Sequence, residues 1–198
     1  NNGEPTINTS GTINSIVSAN QNAGFSVVKW NGTQAAGATV GHGLSSAPEL
    51  IMVKRIDYQE DWVVYFSAIG NNKTMHLNNT DGATTDAAFN NTTPTNSVFT
   101  LSNCSSGNCI NSNSGTYIAY CWHSVAGYSK IGTYTGTNPA VSTNNSITTG
   151  FQPDFLLVKS TSSGNSWNVY DSARSAKGLY TNLSNTEIAA GHMQFDSN

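Results

Sequence analysis

The sequence is poor in charge. Only 10% of its 198 residues are Asp, Glu, Lys or Arg, against roughly 25% in an ordinary soluble domain. The net charge of −3 leaves no basic footprint, so neither nucleic acid nor a membrane is expected as a partner. No apolar run approaches the roughly 18 residues that a membrane-spanning helix requires. Cysteine is scarce too. Three residues are too few for a disulfide framework, and no second Cys or His pair stands at zinc-ligand spacing. Cys104 and Cys109 bracket the short loop "SSGN" and can pair in an oxidising setting, while Cys121 in "YIAYCW" reads as a small buried hydrophobe. The opening "NNGEPTINTS" has no initiator Met and no basic-then-apolar signal pattern. On that reading the chain is expected to be a processed product or a section of something longer.

Polarity is carried instead by Asn, Ser, Thr and Gly, with about one residue in eight being Asn. These residues make turns and strand surfaces without a strong electrostatic field. What stands out is self-similarity. "GFSVVKWNGT" (24–33) aligns with "GYSKIGTYTGT" (127–137), and "GLSSAPELIMVK" (43–54) with "TGFQPDFLLVK" (149–159). "DWVVYFSAIG" (61–70) then aligns with "SWNVYDSARS" (166–175). Pro48 and Pro153, Trp62 and Trp167, Tyr65 and Tyr170, and Ala68 and Ala173 each differ by 105 positions (153 − 48, 173 − 68). A match this long at fixed spacing is a duplication.

The repeated unit reads as β throughout. "ELIMVKR" and "DFLLVKS" are short apolar runs after a proline, the pattern of strands buried on both faces. In "DWVVYF" and "SWNVYD" the Trp and the second Val share one face while Tyr65 and Tyr170 point the other way. Further strands are predicted at Phe25–Trp30, Thr74–Leu77, Val98–Leu101 and Thr116–Trp122, with turn-rich stretches between them. No segment holds a 3.6-residue apolar period over three turns. The expected fold class is all-β: tandem antiparallel β-sandwich units, jelly-roll- or lectin-like, of about 105 residues. The expected organisation is a linker or closing strand of a preceding unit (1–23), a first sandwich (24–126) and a second (127–198). The second is read as incomplete at its carboxyl end, to be closed by further residues or by a neighbouring subunit. The predicted core comprises Trp62, Trp167, Tyr65, Tyr170, Pro48 and Pro153.

The ordered set "GFSVVKWNGT…VGHGLSSAPELIMVKR…DWVVYFSA…VFTLS…TYIAYCWHSVAGYSKIGTYTGT…GFQPDFLLVK…WNVYDSAR" resembles the tandem β-repeat of marine tailed-bacteriophage virion structural and tail-fibre proteins. "VGHGL…P" and "WxVYDSAR" are its most specific segments. One departure is Phe66, where a His often follows the Tyr. The resemblance implies a non-enzymatic repeat of a virion appendage or surface layer, often attached to lectin-like modules, and supplies no catalytic residues. It implies a virion location, other virion proteins and copies of the chain itself as partners, and host-surface glycans as a further partner. Tandem units poor in charge also suit packing around a symmetry axis, with a trimer favoured.

"DYQED" (57–61) carries Asp57, Glu60 and Asp61, oxygens of the kind calcium wants, but without the spaced pattern of a dedicated loop. A solvated hairpin tip fits better. Asp154 and Asp171 are the best carboxylate pair for glycoside chemistry, yet Glu49 and Phe66 stand at the matching places in the first copy. No hydrolase, zinc-protease or P-loop motif occurs, so no enzyme, cofactor or metal is expected. Trp30, at a strand end before "NGT", and His42, in "VGHGL", are the candidate glycan contacts. For both, core packing or a turn imidazole bonded to backbone is the favoured reading. The alternatives to a virion repeat are a carbohydrate-binding module and a bacterial surface adhesin or filament repeat.

Overall fold

The computed structural model describes residues 3–105, 108–137, 146–174, 177–189 and 195. Among them every regular element is a β-strand or a three-residue 3-10 turn. In chain order the strands begin with β1 (Thr6–Asn8), β2 (Ser15–Asn20), β3 (Phe25–Asn31), β4 (Ala38–Gly41) and β5 (Leu50–Arg55). They continue with β6 (Val63–Phe66), β7 (Lys73–His76), β8 (Thr84–Thr85), β9 (Val98–Leu101) and β10 (Thr116–Trp122). The last four are β11 (Phe155–Val158), β12 (Asn168–Asp171), β13 (Lys177–Tyr180) and β14 (Ile188–Ala189). The fold is all-β and antiparallel.

Eight strands form the main sheet in the order β1-β2-β3-β10-β5-β6-β7-β8. β10 lies at its centre, paired with β3 from Thr116↔Asn31 to Trp122↔Phe25 and with β5 from Tyr117↔Arg55 to Trp122↔Leu50. Period-2 alternation decides which side chains meet. Tyr117, Ala119 and Cys121 of β10 fall on one face with Val28 and Trp30 of β3, Ile51 and Val53 of β5, and Val63 and Tyr65 of β6. The two-stranded sheet β4-β9 and the loop residues Ala88, Phe89 and Ile110 cover that face, giving a sandwich around one core. Each large side chain taken out of water there contributes about 1.5–3 kcal/mol. Gly24, in the β2–β3 turn, adopts φ +62. A Cβ there would come within 2.6 Å of the His123 carbonyl oxygen, so the turn is closed to other residues on two counts.

The second copy builds a four-stranded sheet, β11-β12-β13-β14, that repeats β5-β6-β7-β8 in register. Ile51↔Tyr65 and Met52↔Val64 recur as Leu156↔Tyr170 and Leu157↔Val169, and Val64↔Met75 recurs as Val169↔Leu179. Individual hydrogen bonds recur as well. The Trp62 N–H donates to Asn78 Oδ1 at 2.9 Å and the Trp167 N–H to Asn182 Oδ1 at 3.2 Å. The Ser67 N–H donates to the Glu49 carbonyl, and the Ser172 N–H to the Asp154 carbonyl. Lys54 Nζ caps the Glu60 carbonyl as Lys159 Nζ caps that of Asn165. The duplication is therefore of conformation as well as of letters.

Residues 1–23 are not set apart from the first sandwich: β1 and β2 extend its main sheet beside β3, and Ile13 and Val17 lie in its core. Two expectations about the second copy also need correction. "GYSKIGTYTGT" matches β3 in sequence, yet residues 130–137 form no strand and Tyr134 is exposed. β3 is held between β2 and β10, whereas β10 already has a neighbour on each side and cannot pair with the following segment as well. A strand without a ladder partner leaves its amides to water. Second, "DFLLVKS" is not buried on both faces. β11 is an edge strand among the described residues, and Phe155 is 61% exposed.

Candidate functional site

The face of the main sheet turned away from the core is unusually aromatic. Alternation places Phe25 and Val27 of β3 there, with Tyr120 and Trp122 of β10, Met52 of β5 and Val64 of β6. Trp62, just before β6, joins them. The Phe25 and Trp122 rings lie 5.1 Å apart, Tyr120 lies 6.2 Å from Trp122, and Trp62 lies 6.2 Å from Tyr120. All four aromatic residues are half-buried, so each ring keeps part of its surface open. The second copy covers one part of this face. Trp167, 3% exposed, packs with Met52, Val64 and Met75, and its Nε1–H donates to the His76 carbonyl at 2.7 Å. Leu157 packs against the same cluster. The N–H of Ala83 donates to the Thr161 carbonyl and Lys159 Nζ to that of Thr80, joining the two loops beside it.

A polar cleft of about 810 Å³ opens beside Trp62, lined among others by Lys54, Tyr58, Glu60, Asp61, Asn78 and Asn108. Tyr58 is 67% exposed at its rim. The carboxylates here are engaged. Arg55 pairs with Asp57 at 2.8 Å and with Glu60 at 2.9 Å, and its guanidinium lies 5.1 Å from the Tyr58 ring centre. The hydrogen bond from Arg55 holds the Asp57 carboxyl below the usual carboxylate range and raises the guanidinium further. Asp61 accepts from Asn78 Nδ2 at 2.7 Å. With Arg55 between two of its three acids, "DYQED" is an ion-paired hairpin tip rather than a preformed cation cage. In the second copy Asp154 accepts from Ser172 Oγ, and Asp171 pairs with Arg174, which holds its carboxyl low.

For the two candidate glycan contacts, burial decides for the favoured readings, core packing and a backbone-bonded imidazole, and against ligand contact. Trp30 is 2% exposed, 5.4 Å from the Tyr117 ring and 5.5 Å from Phe99, and so cannot present a face to a ligand. His42 is fully buried. Its Nδ1 accepts the Leu44 N–H at 3.1 Å and its Nε2 lies 3.1 Å from the Thr95 carbonyl, which fixes one neutral tautomer. Burial lowers its pKa, outweighing the Thr95 hydrogen bond. Of the predicted core, Tyr65 and Pro48 are buried, and Tyr170 and Pro153 half-buried. Trp62 and Trp167 are not two separate sandwich plugs. They sit on the opposite face from Tyr65 and meet in one shared cluster, with Trp62 only half-buried. Cys104 and Cys109 form a disulfide, and burial pushes the Cys121 thiol up to about 12. The structure puts Phe25, Tyr120 and Trp122 together on this face, a grouping the sequence does not single out. The shared parity of Tyr120 and Trp122 was legible in "TYIAYCW", but only the β3–β10 register brings Phe25 beside them.

The pattern of the family described as "Domain of unknown function (DUF7483)" matches residues 1–198. The chain belongs to that family. No curated protein and no solved structure matches it. For this DUF7483 chain the geometry therefore has to speak directly. It offers a half-open aromatic face, a polar cleft at its edge, and a second sheet docked beside them.

Proposed function

We propose that this chain is a non-enzymatic structural repeat of a phage virion appendage or surface layer, such as a tail fibre, head fibre or capsid decoration. The observation that carries the reading is the recurrence of one four-stranded ladder in the same register, with Trp167 of the second copy bonded to His76 of the first. A unit that docks onto its predecessor through its most distinctive side chain is suited to building a long rigid body from nearest-neighbour contacts. The sparse charge lowers the desolvation cost of packing such bodies together, and copies of the chain and other virion proteins are its partners. The test is immunogold labelling of intact phage particles with antibodies raised against the chain. Label on an appendage or shell supports the reading, and label confined to infected-cell debris refutes it.

A second reading, carbohydrate binding, is favoured by the row Phe25–Trp122–Tyr120–Trp62 and the amides and carboxylates beside it. Sugar rings stack on such surfaces while Asn and Asp fix their hydroxyls. On a glycan array, binding that is lost in Tyr120→Ala would establish this activity. Equal signal from Tyr120→Ala and the parent chain would eliminate this face as the site.

A further inference from the structure

The two copies give a direct comparison of one sheet edge, covered in one and open in the other. In the first copy β5 has β6 on one side and β10 on the other. In the second, β11 has β12 on one side and, among the described residues, no strand on the other. The side chains that would share the covering strand's core differ accordingly. Ile51, Val53 and Tyr65 are at most 1% exposed, whereas their counterparts Leu156, Val158 and Tyr170 are all half-buried. Phe155 is exposed where its counterpart Leu50 is half-buried. The matched register of β11 with β12 shows that the backbone is already in the conformation that β5 uses to receive β10.

We infer that the open edge of β11 is an acceptor site for one antiparallel β-strand of the β10 type, supplied by another unit of this same repeat. The chemistry of the occupant is written in Thr116–Trp122: a strand alternating a buried Tyr, Ala and Cys with outward Ile, Tyr and Trp. The register follows from β5, where Cys121 stands opposite Ile51 and Ala119 opposite Val53. On β11 the incoming Cys falls opposite Leu156 and the incoming Ala opposite Val158. Main-chain hydrogen bonds supply the affinity, and the small Ala and Cys let the strand lie close to the inner layer. The same step removes an exposed edge that would otherwise invite indiscriminate pairing. This inference stands on the two sheets alone and holds whether or not the assembly is a virion.

The test uses the full chain and a synthetic peptide of residues 115–124, beside the same peptide carrying Ala119→Pro, which cannot complete a ladder. Hydrogen exchange at residues 155–158 is expected to slow by about tenfold with the first peptide and to stay unchanged with the second. The thermal midpoint should rise only with the first. Absence of slowing, or equal slowing by both peptides, would overturn the proposal. So would a chain that is already dimeric and protected at 155–158 without peptide while residues 50–55 stay protected by their own β10, since the occupant would then be β11 of a second copy.

Discussion

Trp30 and Trp167 are nearly equally buried, yet they are held differently. The Trp30 indole N–H meets no acceptor among the described residues, while that of Trp167 is bonded to the His76 carbonyl. Replacing either with Phe removes similar volume, but Trp167→Phe also strands a buried carbonyl. It is expected to cost about 1–2 kcal/mol more than Trp30→Phe in urea unfolding, and equal losses would show that the bond contributes nothing net. His42 makes a prediction in pH. Its folded pKa lies below its unfolded value of about 6.5, so stability is complete above that value and falls as pH drops through it toward the folded pKa. Protonating Nδ1 would set a proton against the Leu44 N–H. The thermal midpoint should therefore decline as pH falls below about 6.5, and His42→Asn should flatten the decline; the Asp57 and Asp171 effects lie at lower pH. The flanking glycines of "VGHGL" made the backbone-bonded imidazole legible. The burial of Trp30 was less so, because its partners Tyr117 and Phe99 are far away in sequence.

At the scale of elements, β5, β6, β11 and β12 could be read from their apolar runs and proline boundaries, since those signals are local. The constant 105-residue offset also places β11 and β12 where β5 and β6 stand in their own copy. What could not be read was the insertion of β10 between β3 and β5, because Thr116 and Asn31 lie 85 positions apart and nothing in either strand names the other. The same distance hid the aromatic face. The Cys104–Cys109 disulfide closes a short loop after β9, where Asn108 donates to Asp86 at 2.5 Å and the Asn111 amide bonds the carbonyls of Ala35 and Ser102. Loop-closure entropy for so few residues gives about 2 kcal/mol. Reduction should thus shift the urea midpoint by a corresponding amount. An unchanged midpoint would mean that the Asn108 and Asn111 bonds already fix the loop.

For the whole molecule, the two copies share a four-stranded ladder but not a degree of burial. The cluster between β4-β9 and the main sheet contains 19 buried residues, whereas the described part of the second copy contributes Trp167 alone to the buried hydrophobic set. Amides of β11–β14 should therefore exchange well before those of β5 and β10, as a separate opening unit. Simultaneous exchange would show that the Trp167 contact fuses the two into one cooperative body. The central place of β10 has a consequence in time. Until residue 122 has left the ribosome, β1-β2-β3 and β5-β6-β7-β8 are two half-sheets, each presenting a bare edge to the other. Joining them early would bring β3 against β5, a pairing the finished sheet never contains. The long stretch between β3 and β10 must close before either edge is satisfied, so folding is expected to be slow and the nascent chain to fold best when kept apart from its neighbours.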